Sequence, residues 1–101
     1  MKVRWTEQAL SRLSAIQEYV EGDSPAAAIR LVARLIRRTR PLGRNPYMGR
    51  TVPDLPETDL RELIEGNYRI VYRVHPPFIQ VLTVFEGHRR FPIEDLPEEE
   101  G

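Results

Sequence analysis

Between Leu60 and Phe85 the chain sets three strand-like runs one after another with almost nothing between them, and that spacing restricts the fold more than any other feature. Leu60 to Glu65 is the first run, Gly66-Asn67 supplies a two-residue hairpin turn, and Tyr68 to Val74 is the second. His75-Pro76-Pro77 turns the chain again before Phe78 to Phe85, rich in Ile, Val, Leu and Phe. Parallel neighbours would need a crossover of about a dozen residues, so these runs must pair as an antiparallel meander. In the middle run Tyr68, Ile70, Tyr72 and Val74 alternate with Arg69, Val71 and Arg73. One face is therefore apolar, and the other is expected to be solvated, with Arg73 pairing a cross-strand Glu such as Glu62 or Glu65 and Arg69 either doing the same or serving a functional site.

A sheet with one apolar face needs a cover, and the first 40 residues provide it. Met1 to Trp5 reads as a short strand, and Thr6 then caps a helix whose first turn holds Glu7. Ala9, Leu13, Ile16 and Val20 make one apolar stripe along it, and Gly22 ends it. Ser24 and Pro25 are cap and first residue of a second helix, with Ala28, Ile29, Val32, Leu35 and Ile36 as its apolar face and Pro41 as its stop. So short a connection makes an antiparallel helical hairpin. The predicted architecture is α+β, in the order β-α-α-β-β-β, with the N-terminal strand and the hairpin packed on one face of a small twisted antiparallel sheet.

Leu42 to Asp59, punctuated by prolines 46, 53 and 56 and glycines 43 and 49, is predicted as a long irregular loop; loops beyond about 12–15 residues in a compact domain are commonly functional. One domain is expected over residues 1–91, with residues 92–101 an acidic, flexible tail. Formal net charge is zero, yet residues 1–93 hold 15 basic against 10 acidic groups, a net +5. Seven arginines and no acid lie between Pro25 and Arg50. Cysteine is absent, which removes disulfides, thiolate metal sites and a thiol nucleophile and fits a cytoplasmic location. No apolar run has membrane-spanning length, and no signal-peptide pattern opens the chain.

Enzyme signatures are scarce: there is no Gly-rich phosphate loop, no nucleophile elbow and no metal-spaced histidine pair, so no cofactor or metal is expected. His75 is a turn residue. His88, flanked by Gly87 and Arg89-Arg90, could serve as a general acid with phosphate-binding neighbours, or could simply be a polar strand exit. Arg30, Arg34 and Arg38 form a like-charged ridge on the second helix, each i,i+4 pair costing roughly 0.2–0.5 kcal/mol, and the ridge suits an acidic partner segment. Tyr47 and Arg50 add aromatic and cationic character in the long loop.

Five segments in order resemble toxins of the RelE/ParE superfamily over residues 1 to about 91: Lys2-Val3-Arg4-Trp5-Thr6, Pro46-Tyr47-Met48-Gly49-Arg50, Arg61-Glu62-Leu63, Tyr68-Arg69-Ile70-Val71-Tyr72-Arg73, and Ile79 to Val84 ending in Gly87-His88-Arg89. That resemblance implies a bacterial toxin paired with a small antitoxin having a DNA-binding N-terminus, in a hetero-oligomer or alongside a homodimer. RelE-like members cleave mRNA on the ribosome with a basic cluster; Arg69 and Arg89 match their arginines here, and His88 lies near the terminal His-Tyr pair of the related YoeB branch. The lysine pair expected before the turn is replaced by Leu60 and Glu62, and no tyrosine follows Tyr72. ParE-like members lack the nuclease set and are associated with DNA gyrase inhibition, and the missing residues and neutral net charge point to that branch. The implied binding set for antitoxin or target is Arg30, Arg34, Arg38, Tyr47, Arg50, Arg61, Arg69, Arg89 and Arg90. A non-toxic scaffold that only partners an antitoxin is the third reading.

Overall fold

The computed structural model describes residues 1–97. Strand β1 (Lys2–Trp5) leads into helix α1 (Glu7–Glu21) and helix α2 (Pro25–Thr39), followed by a 3-10 turn at Arg40–Gly43. Then come β2 (Arg50–Thr51), β3 (Arg61–Glu65), β4 (Tyr68–His75), β5 (Phe78–Glu86) and a second 3-10 turn at Ile93–Asp95. Both helix starts are capped as their residues require. Thr6 accepts from the Ala9 amide at 3.1 Å, and Ser24 accepts from the Ala27 amide at 3.2 Å, with Pro25 at the first helical position.

The sheet runs in the order β1-β5-β4-β3-β2. β3, β4 and β5 form the expected meander, but β1 pairs with β5 in parallel, Val3 opposite Ile79 and Trp5 opposite Val81. The sheet is therefore mixed rather than purely antiparallel. The physical reason is separation in sequence: the helical hairpin and the meander lie between β1 and β5, ample chain for a parallel return.

Between hairpin and sheet lies a core of Ala9, Leu13, Leu35, Leu42, Leu63, Ile70, Tyr72, Ile79, Val81 and Val84. The step from Val81 to Val84 breaks the two-residue period because the β4–β5 register shifts at Val71/Tyr72. Ile29 does not join this core and is 65% exposed. At about 100° per residue it falls about 120° around α2 from Leu35, and Leu31 and Val32 flank the core instead.

The far face of the sheet is not solvated, contrary to expectation. Val52, Leu60, Val71, Leu82, Phe85 and Phe91 form a second cluster there, with Leu55 and Leu96 against it. The segment 52–60 and the residues after Phe91 fold over this face. Residues 92–97 are thus packed rather than loose: Asp95 is buried and accepts from the Thr83 hydroxyl at 2.9 Å and from Arg12 Nε at 2.5 Å. The remainder of the expected flexible tail, 98–101, lies outside the described residues.

Candidate functional site

On the far face, the register of β3 and β4 sets Glu62 opposite Val71 and Ile64 opposite Arg69, so Glu62 and Arg69 are diagonal neighbours. β2 adds Arg50 directly opposite Glu62. The Glu62 side chain is 0% exposed and Arg69 14%. Arg69 Nε donates to Glu62 Oε1 at 2.8 Å, and its Nη2 donates to Asp54 Oδ1 at 2.6 Å. Arg50 Nε donates to the other Glu62 oxygen at 2.8 Å. Two guanidinium groups thus face two carboxylates, which removes the net charge that burial would otherwise penalise.

Two aromatic rings close the cluster. The Arg69 guanidinium carbon lies 5.1 Å from the Phe85 ring centre and 5.4 Å from that of Phe91, within cation–π range. Burial works to lower the Arg69 pKa, but the hydrogen bonds it donates to Asp54 and Glu62 outweigh it and hold it above the usual value. The same contact holds the Asp54 carboxyl below the ordinary carboxylate range. A folded-state value lowered in this way gives stability that is complete above the unfolded value and lost as pH falls through the lowered one. The melting temperature should therefore decline in acid, below about pH 4, and Asp54→Asn should flatten that part of the profile. An Asp54→Asn variant with an unaltered acid limb would exclude this pair as the cause.

The loop ahead of β2 is held by a second set of contacts. The buried Tyr72 hydroxyl donates to the Pro46 carbonyl at 2.7 Å and accepts from the Gly49 amide at 3.0 Å. Burial raises the Tyr72 pKa, which keeps this phenol protonated as the donor. Arg61 Nη1 donates to the Gly49 carbonyl at 2.8 Å, and the Arg61 guanidinium carbon stands 5.2 Å from the centre of the Tyr47 ring. Tyr47 itself is 64% exposed. The loop thus presents Tyr47 and Arg50 from a braced backbone.

The remaining candidates divide. Arg34 and Arg38 both reach Glu65, at 3.2 and 3.6 Å, whereas Arg30 has no ion pair among the described residues. The acid that offsets the ridge comes from β3, not from the helix. Arg73 pairs with Gln80 Oε1 at 2.6 Å rather than with a cross-strand Glu. His88 borders a small hollow with Ile64, Asn67, Tyr68 and Arg69, while Arg89 and Arg90 line a separate one of about 400 Å³ with Arg12, Tyr19 and Tyr68. Arg69 and Arg89 therefore do not face one cavity. On the rim of the larger hollow, Arg90 Nη2 donates to both Glu94 oxygens at 3.1 Å, and Arg89 has no side-chain partner among the described residues.

A family model, ParE toxin of type II toxin-antitoxin system, parDE, matches residues 3–91. The chain belongs to the ParE toxin family. This ParE-family chain is 38% identical over 93 residues to Y4kP of Sinorhizobium fredii, covering 90% of this chain and 93% of that one. It is 35% identical over 86 residues to the toxin RelE2 of Caulobacter vibrioides, covering 85% and 83%. Among solved structures, the chromosomal ParDE TA system from P. aeruginosa superposes with a TM-score of 0.69 at 29% identity, covering 85% of this chain and 95% of that one. The RelBE2 toxin–antitoxin complex from Mycobacterium tuberculosis superposes with a TM-score of 0.61 at 20% identity over 84% and 88%, a likeness of fold.

Sequence reasoning named Glu62 as a cross-strand partner for the β4 arginines, but missed Asp54, Tyr72 and the Arg12–Asp95 pair as organisers of this ParE-type chain. The burial of Glu62 was also within reach, because a carboxylate two residues after the buried Leu60 shares that residue's face. Asp54 and Asp95 come from irregular segments, where no periodicity marks an inward side chain. Among the described residues no group of three or more acids or histidines could hold a metal ion. None of their helices is long and apolar enough to cross a membrane.

Proposed function

We propose that this ParE-family chain is a toxin that acts by binding DNA gyrase, without a nuclease step, and is kept silent by a small antitoxin in the cytoplasm. The observation that carries the reading is the state of Arg69. A nuclease arginine must offer its donors to a scissile phosphate, but here Nε and Nη2 already serve Glu62 and Asp54, beneath Phe85 and Phe91. Freeing them would leave Glu62 buried with one partner fewer, a loss that ordinary substrate binding would have to offset. His88 and Arg89, the other two members of that set, face different hollows.

An antitoxin partner is supported by the P. aeruginosa relative, whose structure is of a ParDE system. The proposed contact surface for antitoxin or target is the braced loop with Tyr47, Arg50 and Arg61, together with the rim carrying Arg89 and Arg90. Carboxylates on the partner would complement these groups, and Tyr47 supplies the aromatic anchor.

The test pairs two assays on the purified chain. Added to DNA gyrase and relaxed plasmid, it should suppress supercoiling in proportion to dose, and pre-incubation with the product of the neighbouring small gene should restore the activity. Added to translating ribosomes, it should leave mRNA intact. Supercoiling at the full rate together with ribosome-dependent mRNA cleavage would reverse the assignment. Inactivity in both assays would favour the scaffold reading.

A further inference from the structure

The outward face of α2 and the turn after it carry four arginines that neither the fold nor the proposed function uses. Arg30, Arg37, Arg40 and Arg44 are all exposed, and none has an ion pair among the described residues. Taken at about 100° per residue, Arg30, Arg37 and Arg40 lie about 140–160° from the buried Leu35, so they point directly away from the core. Arg40 keeps right-handed helical backbone angles as the last-turn cap, so the row continues through it into the 3-10 turn that ends before Arg44.

Among the described residues no acid pairs with them. The chain has no Asp or Glu between Asp23 and Asp54, and Glu65, which does reach α2, is taken by Arg34 and Arg38 on its inner flank. Favourable placement at a helix C-terminus accounts for Arg37 and Arg40 but not for Arg30, two turns from that end, or for Arg44, beyond it.

We propose that this row binds the phosphate backbone of duplex DNA. Its length is about 23 Å, taking 1.5 Å per residue in the helix and about 2 Å in the turn. A duplex carries one negative charge per about 1.7 Å of axis, both strands counted, so a row of this length meets several phosphates as the backbones wind past it. Arginine forks suit phosphate oxygens bidentately. The alternative occupant, an acidic protein, would need an apolar centre to exclude water. Ala26 and Ala33 lie between the arginines, and neither hollow described above includes a residue of α2. The one exposed large apolar residue of α2, Ile29, lies about 100° around the helix from Arg30 and about 80° from Arg37, on Arg40's side of the row but some three turns from it along the axis. The inference goes beyond the gyrase reading and does not rest on it.

The test is fluorescence anisotropy of a labelled 20-base-pair duplex of arbitrary sequence, titrated with the full chain at several salt concentrations. Four phosphate contacts give a slope of log K against log salt of about −3.6, a loss of roughly 100-fold between 50 and 200 mM salt. The quadruple Arg30→Gln/Arg37→Gln/Arg40→Gln/Arg44→Gln variant should bind at least about 10-fold more weakly at low salt, with a slope near zero. The corresponding quadruple Lys variant should keep most of the binding and slope. Arg34→Gln/Arg38→Gln should change affinity less than about twofold, because Glu65 already holds that pair. Thermal melting by circular dichroism confirms that each variant is folded. Wild-type binding by a folded Gln variant overturns the proposal, as does tighter binding to single-stranded nucleic acid or to polyglutamate than to the duplex.

Discussion

Glu62→Ala is expected to destabilise the protein by about 3–5 kcal/mol, the range for breaking one side of a buried ion pair. Alanine at this position leaves Arg69, 14% exposed, with only the partly exposed Asp54 as counter-charge, and it releases Arg50 from the strand edge. Total stability of a domain this size is about 5–15 kcal/mol, so the variant should unfold at markedly lower urea concentration. The cost arises from an abandoned charge rather than from a lost cavity filler, and that distinction is measurable. Adding Arg69→Met to Glu62→Ala removes the stranded guanidinium and keeps an unbranched chain against Phe85 and Phe91, so at least half of the loss should return. Additive effects of the two substitutions, or a loss below about 1 kcal/mol for Glu62→Ala, would show that the cluster is not energetically coupled. The folded double variant also separates the functional readings. A gyrase-directed toxin should retain its effect on supercoiling, whereas a nuclease built on Arg69 would have nothing left to show.

The near side of the sheet was legible in the sequence because regular elements announce themselves by period. Thr6, Ser24 and Pro25 mark the helix starts, Gly66-Asn67 fixes the β3–β4 turn, and the alternation in β4 assigns Ile70 and Tyr72 to the hairpin core. The far side was not legible, for two reasons. Its cover is made of irregular chain, Val52 to Leu60 and Phe91 to Leu96, where inward and outward side chains follow no spacing. The register shift at Val71/Tyr72 also turns Leu82 to that face, against the alternation one would read along β5. With the cover unseen, Arg69 could be read equally as a cation free for phosphate or as a cross-strand partner of Glu62, and its neighbours make it an internal counter-charge.

The candidate site shows the same division. Tyr47 and Arg50 were identifiable as exposed loop residues, but what holds them required knowing that the Tyr72 hydroxyl reaches 26 residues back along the chain to the Pro46 carbonyl. Nor does composition reveal that Arg34 and Arg38 share Glu65 while Arg30 does not, since that depends on how far β3 extends beneath α2. Long-range polar pairs of this kind are set by tertiary geometry, and a single sequence carries no local trace of them.

Gly49→Ala tests how tightly that loop is held. A Cβ at Gly49 would lie 2.7 Å from the Glu62 carbonyl oxygen and 2.7 Å from both Cε1 and Oη of Tyr72. The Glu62 carbonyl is strand backbone, and Tyr72 is fully buried, so neither can step aside without disturbing the core. Either the loop lifts away, breaking the Gly49 amide bond to the Tyr72 hydroxyl, or the tyrosine ring shifts and loses Pro46 as well. Overpacking of this sort costs about 1–3 kcal/mol, and a buried donor left unpaired costs about 1–3 more, so the expected loss is about 2–5 kcal/mol. In a domain of this size that lowers the melting temperature by roughly 10–30 °C. Tyr72→Phe removes the hydroxyl that both meets the new methyl and accepts the amide bond. The Gly49→Ala/Tyr72→Phe double variant should therefore lose about 1 kcal/mol or more less than the sum of its parts. Strict additivity, or a Gly49→Ala variant that melts within a few degrees of the parent, would mean that the loop yields freely. Tyr47 and Arg50 would then reach their partner from a mobile segment, and substitutions at Tyr72 should leave antitoxin affinity unchanged.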